Sequence, residues 1–148
     1  MKLKGRVIKE GRAEGEALVS PEAIGFFGGV DPETGVVVEP GHELQGQSIC
    51  GRILVFPSGK GSTVGSYTLY RLRKKGLAPA GIINAQSEAI VAVGAIIADI
   101  PMVDRIDISH IKTGDKVTIH SDVVEILSTR SPGIGEVNSP LREGNLEG

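Results

Sequence analysis

The feature that most constrains the fold is an alternation of short apolar segments and longer helical segments in the middle of the chain. Residues 53–56, 80–84 and 101–103 have the length and apolar composition of buried strands, and residues 63–75 and 87–98 between them have helical composition. Strands that alternate with helices in this way form βαβ units, whose strands lie parallel in one sheet. The middle of the chain therefore predicts a βαβαβ arrangement.

The segments on either side of this region predict further strands. In the first half, short stretches rich in β-branched residues are separated by glycine and proline, at residues 3–8, 16–19 and 36–38. Near the other end, residues 112–120 and 123–127 predict a β-hairpin that closes the sheet. The fold class that we expect is mixed α/β with a β-rich N-terminal half.

Length and composition predict one domain followed by a tail. A chain of 148 residues can bury one core and has little room for a second. Residues 131–148 contain few apolar side chains and no periodicity, which is typical of a flexible segment. We therefore expect a single domain over residues 1–130 and a flexible tail over residues 131–148.

The overall charge and the apolar pattern exclude two classes of function. The net charge is −2 and the chain has only three Phe, two Tyr and no Trp, so it lacks the basic and aromatic surface of a nucleic-acid-binding protein. No apolar run reaches the roughly 18 residues of a membrane span, and the charged N-terminus lacks the apolar core of a signal peptide. We expect a cytoplasmic protein that binds neither nucleic acid nor membrane.

The cysteine and histidine content does not indicate a metal site, and Asp31 and Glu33 are expected to form a turn rather than to hold a cation. Cys50 is the only cysteine, so the chain can form neither an internal disulfide nor a cysteine-rich cluster site. His42, His110 and His120 have no metal-ligand spacing, and we expect them in turns or at the surface. We predict no metal and no cofactor bound by this chain alone, and any iron–sulfur cluster would need ligands from another chain.

A glycine-rich segment follows the strand at residues 53–56, with the sequence Pro57-Ser-Gly-Lys-Gly-Ser-Thr-Val-Gly-Ser66. It is not a phosphate-binding P-loop, because Leu54 stands where that motif needs its first glycine, and it is not a dinucleotide fingerprint, because Val64 replaces the third glycine. The Gly-x-Ser-x-Gly order of a nucleophile elbow is also absent from the segment.

The same segment nevertheless predicts an anion site. Ser62, Thr63 and Ser66 lie at the predicted start of a helix, Gly61 allows a ligand to approach the backbone, and Lys60 brings a cation nearby. Free N–H groups in the first turn and the helix dipole favour a phosphate, a carboxylate or an alkoxide formed on Ser62. The alternative is that Ser62 only caps the helix.

The next predicted strand and helix supply secondary candidates. Asn84, Gln86 and Ser87 follow residues 80–84 on the side of a parallel sheet where ligands usually bind. Ser87 is also the predicted N-cap of the second helix. That helix is apolar on nearly all sides, which predicts a buried core helix.

Five segments of the chain match, in this order, the pattern of a known family. They are Glu14-Gly-Glu-Ala-Leu-Val-Ser20, Phe26-Phe-Gly-Gly-Val-Asp-Pro32 with Thr34-Gly35, Leu44-x-Gly-Gln-Ser48, Gly51-Arg-Ile-Leu-Val-Phe-Pro57 and Gly61-Ser-x-x-Gly-Ser66. On these segments most of residues 1–130 resembles the small subunit, or swivelling domain, of aconitase X enzymes. Gly28, Gly29 and Asp31 belong to this pattern, and the sequence explains them only as parts of a turn.

The resemblance implies a β/β/α swivelling fold and a dehydratase assembled with a large catalytic subunit. In such enzymes the large chain carries a [4Fe–4S] cluster and most contacts to the anionic substrate, and the small chain contributes a serine as proton acceptor. Ser62 matches that serine. Thr63 and Ser66 match its neighbours, as groups that bind substrate or shape the loop.

Two substrates are known for the family. Archaeal members dehydrate mevalonate 5-phosphate to trans-anhydromevalonate 5-phosphate for isoprenoid synthesis, and bacterial relatives dehydrate cis-3-hydroxy-L-proline. A separate small chain with few Asn and Gln resembles the archaeal enzymes more closely.

A second resemblance leaves a non-catalytic alternative. Residues 86–101 and 113–117 are similar to the swivelling phosphohistidine domain of phosphoenolpyruvate-using enzymes. The position of the phosphorylated histidine is Glu88 here, so this chain cannot carry a phosphoryl group in that way. A swivelling interaction domain without catalysis remains the alternative from another class.

Overall fold

The computed structural model describes residues 1–127, so the tail predicted for residues 131–148 lies outside the described residues. Within these residues, eight strands and two α-helices make up the fold. In chain order they are β1 (Lys2–Lys4), β2 (Arg6–Lys9), β3 (Arg12–Val19), β4 (Ile53–Phe56), α1 (Gly65–Lys74), β5 (Gly81–Asn84), α2 (Ala89–Ala98), β6 (Met102–Asp104), β7 (Lys116–His120) and β8 (Val123–Leu127).

All eight strands join one mixed sheet in the order β1-β8-β7-β3-β4-β5-β6-β2. Strands β3 to β6 are parallel, and the remaining pairs are antiparallel. The predicted βαβαβ unit and the C-terminal hairpin are confirmed, and so is the mixed α/β class.

The first strand of the chain closes the sheet on itself. Residues 3–8 were predicted as one strand, but Gly5 divides it into β1, which pairs with β8, and β2, which pairs with β6 at the other end of the sheet. The Gly5 N–H donates a hydrogen bond to the Asp122 carbonyl (2.8 Å), and a Cβ added at Gly5 would overlap the Asp104 carbonyl oxygen. Glycine therefore allows one segment to connect the two ends of the sheet.

Strand β4 lies between two hydrophobic cores. Ile53 and Val55 face the inside of the closed sheet, and Leu54 and Phe56 face the helices. All four side chains are fully buried, which explains why this strand is apolar throughout rather than alternating. The strand that leads to Ser62 is thus fixed on both faces.

Helices α1 and α2 pack closely at Gly94. A Cβ at this position would come within 2.7 Å of Leu69 Cδ1 and 3.2 Å of Ser66 Cα. The prediction that α2 is a buried core helix is wrong for one of its faces. Val93, Ile96 and Ile97 are 48%, 51% and 41% exposed because one face of the helix has no neighbour in the described part of the chain.

The strand predicted at residues 36–38 is wrong. Val36 and Val37 make only isolated bridges, to Ser48 and Val30 respectively. The turn after Asp31 and the turn at Gly41 lie close on either side, so the extended stretch is too short for a ladder.

Asp104, at the end of β6, is a fully buried carboxylate with a bidentate partner. Arg6 donates to it from Nε (3.0 Å) and Nη2 (2.8 Å), and the Ser87 N–H donates at 3.0 Å. Burial would raise the pKa of Asp104, but the hydrogen bonds from Arg6 and Ser87 outweigh it and lower the pKa to about 2 from the usual 3.8. The ionised form therefore stabilises the fold at pH values above 3.8, and this stabilisation disappears as the pH falls through 2.

We expect Asp104→Asn to lower the free energy of unfolding at pH 7 by on the order of 2 kcal/mol. The difference between variant and wild type should shrink as the pH falls from about 4 to about 2, because the wild-type carboxylate becomes protonated there. Urea unfolding at several pH values measures this difference. Asp122→Asn is the control, since Asp122 is 37% exposed and 3.7 Å from Lys4, and a pH-independent difference for Asp104→Asn would contradict the assignment.

Candidate functional site

The loop that carries Ser62 is held firmly at its base. The Pro57 carbonyl accepts hydrogen bonds from the N–H groups of Ala85 (3.1 Å) and Gln86 (3.0 Å), directly after β5. On the other side, Ile24 donates to the Ser58 carbonyl (3.2 Å) and accepts from the Lys60 N–H (3.1 Å). Residues 57–60 are therefore fixed by two neighbouring segments.

Two glycines of the loop are required by its geometry. A Cβ at Gly59 would overlap Glu88 Oε1 and Val91 Cγ2 at the start of α2. Gly61 has φ +96°, in the left-handed region that favours glycine. The glycine-rich composition therefore lets the loop pass close to α2 and then turn outward.

Ser62 lies on the exposed turn that follows. Its Oγ accepts a hydrogen bond from the Val64 N–H (3.1 Å), and its carbonyl accepts one from the Gly65 N–H (2.9 Å). The helix begins at Gly65 rather than at residue 63, and its N-cap is Val64, without a side-chain cap. The alternative that Ser62 is the N-cap of α1 is therefore wrong.

The free backbone donors lie in the loop rather than in the helix. The N–H groups of Gly65, Ser66 and Tyr67 already donate to carbonyls, so the predicted first-turn donors are occupied. Within residues 1–127, the N–H groups of Gly61, Ser62 and Thr63 have no acceptor. Consecutive free N–H groups in a turn can hold an anion. The anion site stays a prediction, and the donors that it would use are those of this turn rather than those of the helix.

The structure places the other predicted site residues in surroundings that differ from those of Ser62. The Lys60 ammonium group is not a free cation beside the loop, because its Nζ is paired with Glu39 Oε2 at 2.8 Å. Ser66 is 6% exposed and donates to the Ile90 carbonyl (2.7 Å), which ties α1 to α2 and shapes the loop. Thr63 is exposed next to Ser62. Substrate contacts by Lys60, Gly61, Thr63 and Ser66 stay predictions.

The secondary candidates support the base of the loop. Asn84 is fully buried and donates from Nδ2 to the Phe56 carbonyl (3.0 Å), at the point where β4 ends. Within the described residues its Oδ1 has no hydrogen-bond partner. Glu88, and not Ser87, caps α2, because its carboxylate accepts the N–H groups of Ile90 (2.9 Å) and Val91 (2.8 Å).

Ser62 has no base beside it in the described part of the chain. His42 is buried in a turn, where its Nε2 lies 3.0 Å from the Ala23 carbonyl and its Nδ1 accepts the Leu44 N–H. His110 lies beside Asp107. Neither histidine contacts Ser62, and no three His, Cys, Asp or Glu side chains within residues 1–127 are grouped to hold a metal ion.

The structure gives the family segment around Gly28, Gly29 and Asp31 a physical role. Gly28 has φ +81°, a Cβ at Gly29 would overlap the Gly25 carbonyl oxygen, and Asp31 Oδ1 accepts the Glu33 N–H (2.9 Å). These turns bring the Phe27 backbone N to 3.5 Å from the Cβ position of Gly65. The segment therefore packs against the start of α1.

An apolar groove beside Ser62 is the feature that the sequence analysis missed. It has a volume of about 340 Å³ and lies between α1 and α2, lined by Thr63, Ser66, Tyr67, Ala89, Ile90, Val93 and Ile97. The sequence signal was present, because α2 contains only apolar residues. An exposed apolar face was interpreted instead as a buried one.

The helices of residues 1–127 include none with the length and apolar character needed to cross a bilayer.

Comparisons with known proteins indicate the family of the chain. The family model described as the aconitase X swivel domain matches residues 2–127. Proteins named phosphomevalonate dehydratase small subunit are similar to the chain. That of Thermococcus kodakarensis is 58% identical over 126 residues (85% of this chain, 95% of that protein), and that of Methanothrix thermoacetophila is 60% identical over 121 residues (80% and 88%).

Two solved structures have the same fold. The crystal structure of Thermococcus kodakaraensis aconitase X in its holo-form has a TM-score of 0.85 at 58% identity and covers 86% of this chain and 99% of that chain. The solution NMR structure of a UPF0107 protein has a TM-score of 0.79 at 53% identity, with coverage of 86% and 100%. The β/β/α swivelling fold is therefore confirmed, and the chain belongs to the aconitase X swivel domain family.

Proposed function

We propose that this chain is the small subunit of a two-chain dehydratase that converts mevalonate 5-phosphate to trans-anhydromevalonate 5-phosphate, with Ser62 as proton acceptor. The assignment of this substrate is supported by the similarity to proteins named phosphomevalonate dehydratase small subunit. They are 56–60% identical over 80–85% of this chain. The exposed Ser62 turn, fixed at its base and carrying free backbone donors, supports the role of the serine.

Dehydration of a 3-hydroxy acid requires a base at the carbon beside the carboxylate. In our proposal Ser62 Oγ, as the alkoxide, takes the proton, and the C–H electron pair forms the C=C bond as the hydroxyl departs. An alkoxide is accessible only where its charge is stabilised. The Val64 N–H already donates to Ser62 Oγ at 3.1 Å, and α1 begins directly behind it. Both favour the negative charge on that oxygen.

The departing hydroxyl needs an electrophile that this chain does not provide. A [4Fe–4S] cluster is held by cysteine thiolates, and Cys50 is the only cysteine of the chain. The donor set therefore does not fit a cluster. We propose that the large subunit holds it and that no step at the cluster involves a ligand from this chain.

A large subunit would also cover the apolar groove beside Ser62. Tyr67 is 67% exposed, and Val93, Ile96 and Ile97 extend the same surface along α2. A contiguous apolar surface next to a reactive group is typical of an interaction site. Its burial by a partner would exclude water from the Ser62 turn, which strengthens the hydrogen bonds that stabilise the alkoxide.

Co-expression with the large subunit encoded in the same genome tests this function. We expect a stable complex that dehydrates mevalonate 5-phosphate with a kcat/KM at least about 100-fold higher than for cis-3-hydroxy-L-proline, because the latter has no phosphate group to bind. Product formation by mass spectrometry measures both reactions. Preference for the hydroxyproline would contradict the substrate, and a chain that forms no complex with the large subunit would contradict the two-chain assembly.

A further inference from the structure

A polar cleft lies at the edge of the sheet opposite Ser62. It has a volume of about 470 Å³ and is lined where β3, β5 and β6 begin and where the two helices end. Its charged lining residues are Glu10, Arg12, Arg73 and Asp99. Small-molecule sites commonly have volumes of roughly 300–1,000 Å³, so the cleft is large enough for a small metabolite.

The two acidic residues of the cleft already have partners, and the two arginines do not. Glu10 accepts a hydrogen bond from Ser121 Oγ (3.1 Å), and Asp99 is paired with Lys9 (3.1 Å). Within residues 1–127 the guanidinium groups of Arg12 and Arg73 have no ion-pair or hydrogen-bond partner. Lys9 compensates Asp99, while Glu10 keeps its negative charge beside the two positive charges of Arg12 and Arg73, so the cleft is net positive by one charge.

The position of Arg73 at the end of α1 does not explain why its guanidinium group has no partner. A basic residue in a last helical turn commonly interacts with the free carbonyls there. In α1, however, the carbonyls of Arg71, Leu72 and Arg73 already accept backbone N–H groups. Arg71 and Lys75, one turn apart, are both paired with Glu33 (3.1 and 3.0 Å), while Arg73 between them belongs to the lining of the cleft.

Arg12 is not on a helix, so a helix dipole cannot explain its presence in the cleft. It is the first residue of β3 and pairs with His120 across the sheet. A strand and a helix thus each contribute one arginine without a partner to the lining of the same cleft. Guanidinium groups bind phosphate oxygens through paired N–H donors, and two of them match the charge of a phosphate dianion.

We propose that this cleft is a second anion site, which binds the phosphate group of a small phosphorylated metabolite between Arg12 and Arg73. The site is separate from the Ser62 turn and does not depend on the proposed dehydratase function. A ligand there would contact the starts of the parallel strands, whereas Ser62 follows the end of one of them.

Titration of the isotope-labelled full chain with inorganic phosphate tests the site, and the NMR structure of a relative shows that this method suits the fold. We expect saturable shifts of the backbone amides of Gly11, Arg12 and Gly76. The double variant Arg12→Gln/Arg73→Gln should bind phosphate at least about 100-fold more weakly, roughly tenfold for each charged donor removed.

The matched control is Lys74→Gln/Arg105→Gln, which removes the same charge at exposed positions that do not line the cleft. It should retain wild-type affinity, and equal weakening by both double variants would show unspecific attraction and overturn the site. Shifts that do not saturate, or that persist in Arg12→Gln/Arg73→Gln, would also overturn it. Succinate should bind more weakly than phosphate, and equal affinity would overturn the assignment to a phosphate group.

Discussion

Ser62→Ala should lower kcat of the reconstituted two-chain enzyme by about 10²- to 10⁴-fold, the usual contribution of a positioned acid or base. The substitution removes the oxygen that is proposed to take the substrate proton, together with the hydrogen bond from the Val64 N–H. It does not touch the bonds that hold the base of the loop, which are made by the backbone of residues 57–60. The KM for the substrate should change little.

Ser58→Ala is the matched control for this variant. Ser58 lies in the same loop and contributes its carbonyl, rather than its hydroxyl, to the contact with Ile24. It should retain near-normal kcat. Size-exclusion chromatography would establish that both variants still assemble with the large subunit. Near-normal turnover by Ser62→Ala would remove Ser62 from the mechanism, and a loss of assembly would assign it a structural role instead.

Phe56→Ala should lower the free energy of unfolding by about 3–5 kcal/mol, the range for truncating a buried phenylalanine. Phe56 is fully buried at the end of β4, where its ring meets Phe26 edge to face with centroids 6.2 Å apart. Small domains have a total stability of roughly 5–15 kcal/mol, so this loss would be a large part of it. Urea unfolding of the full chain measures the effect.

Phe27→Ala is the control for the aromatic truncation, since Phe27 adjoins Phe26 but is 57% exposed. It should cost less than about 1 kcal/mol in the isolated chain. A similar loss for Phe27→Ala and Phe56→Ala would contradict the packing described for the helix-side core. Phe56 also directly precedes the Ser62 loop, so its variant should show a mobile loop in hydrogen exchange as well as lower stability.

The parts of the fold that depend on local pattern could be predicted from the sequence. Strand β4 and the helices around it follow from short apolar runs separated by a glycine-rich segment, and the hairpin of β7 and β8 follows from alternation and a turn. Ser62 was predicted from its place in a glycine-rich segment at the start of a helix, and its role as proton acceptor, which comes from the family resemblance, stays a prediction. These features need only residues that are close in sequence.

The parts that depend on distant residues could not be predicted. Lys60 is paired with Glu39, 21 positions away, and Ser66 donates to Ile90, 24 positions away. No local signal distinguishes such a lysine or serine from one that is free to bind a ligand. The exposed face of α2 was missed for a related reason, because composition shows that a helix is apolar but not which of its faces has a neighbour.

The connection of the two ends of the sheet at Gly5 also determines what the loss of the N-terminal segment would expose. An exposed strand edge is a template for pairing with other chains, and proteins usually protect each edge separately. Here residues 2–9 cover β8 through β1 and β6 through β2. Proteolytic loss of this one segment would uncover two hydrogen-bonding edges at once, so an intact N-terminus protects the chain from aggregation as well as completing its fold.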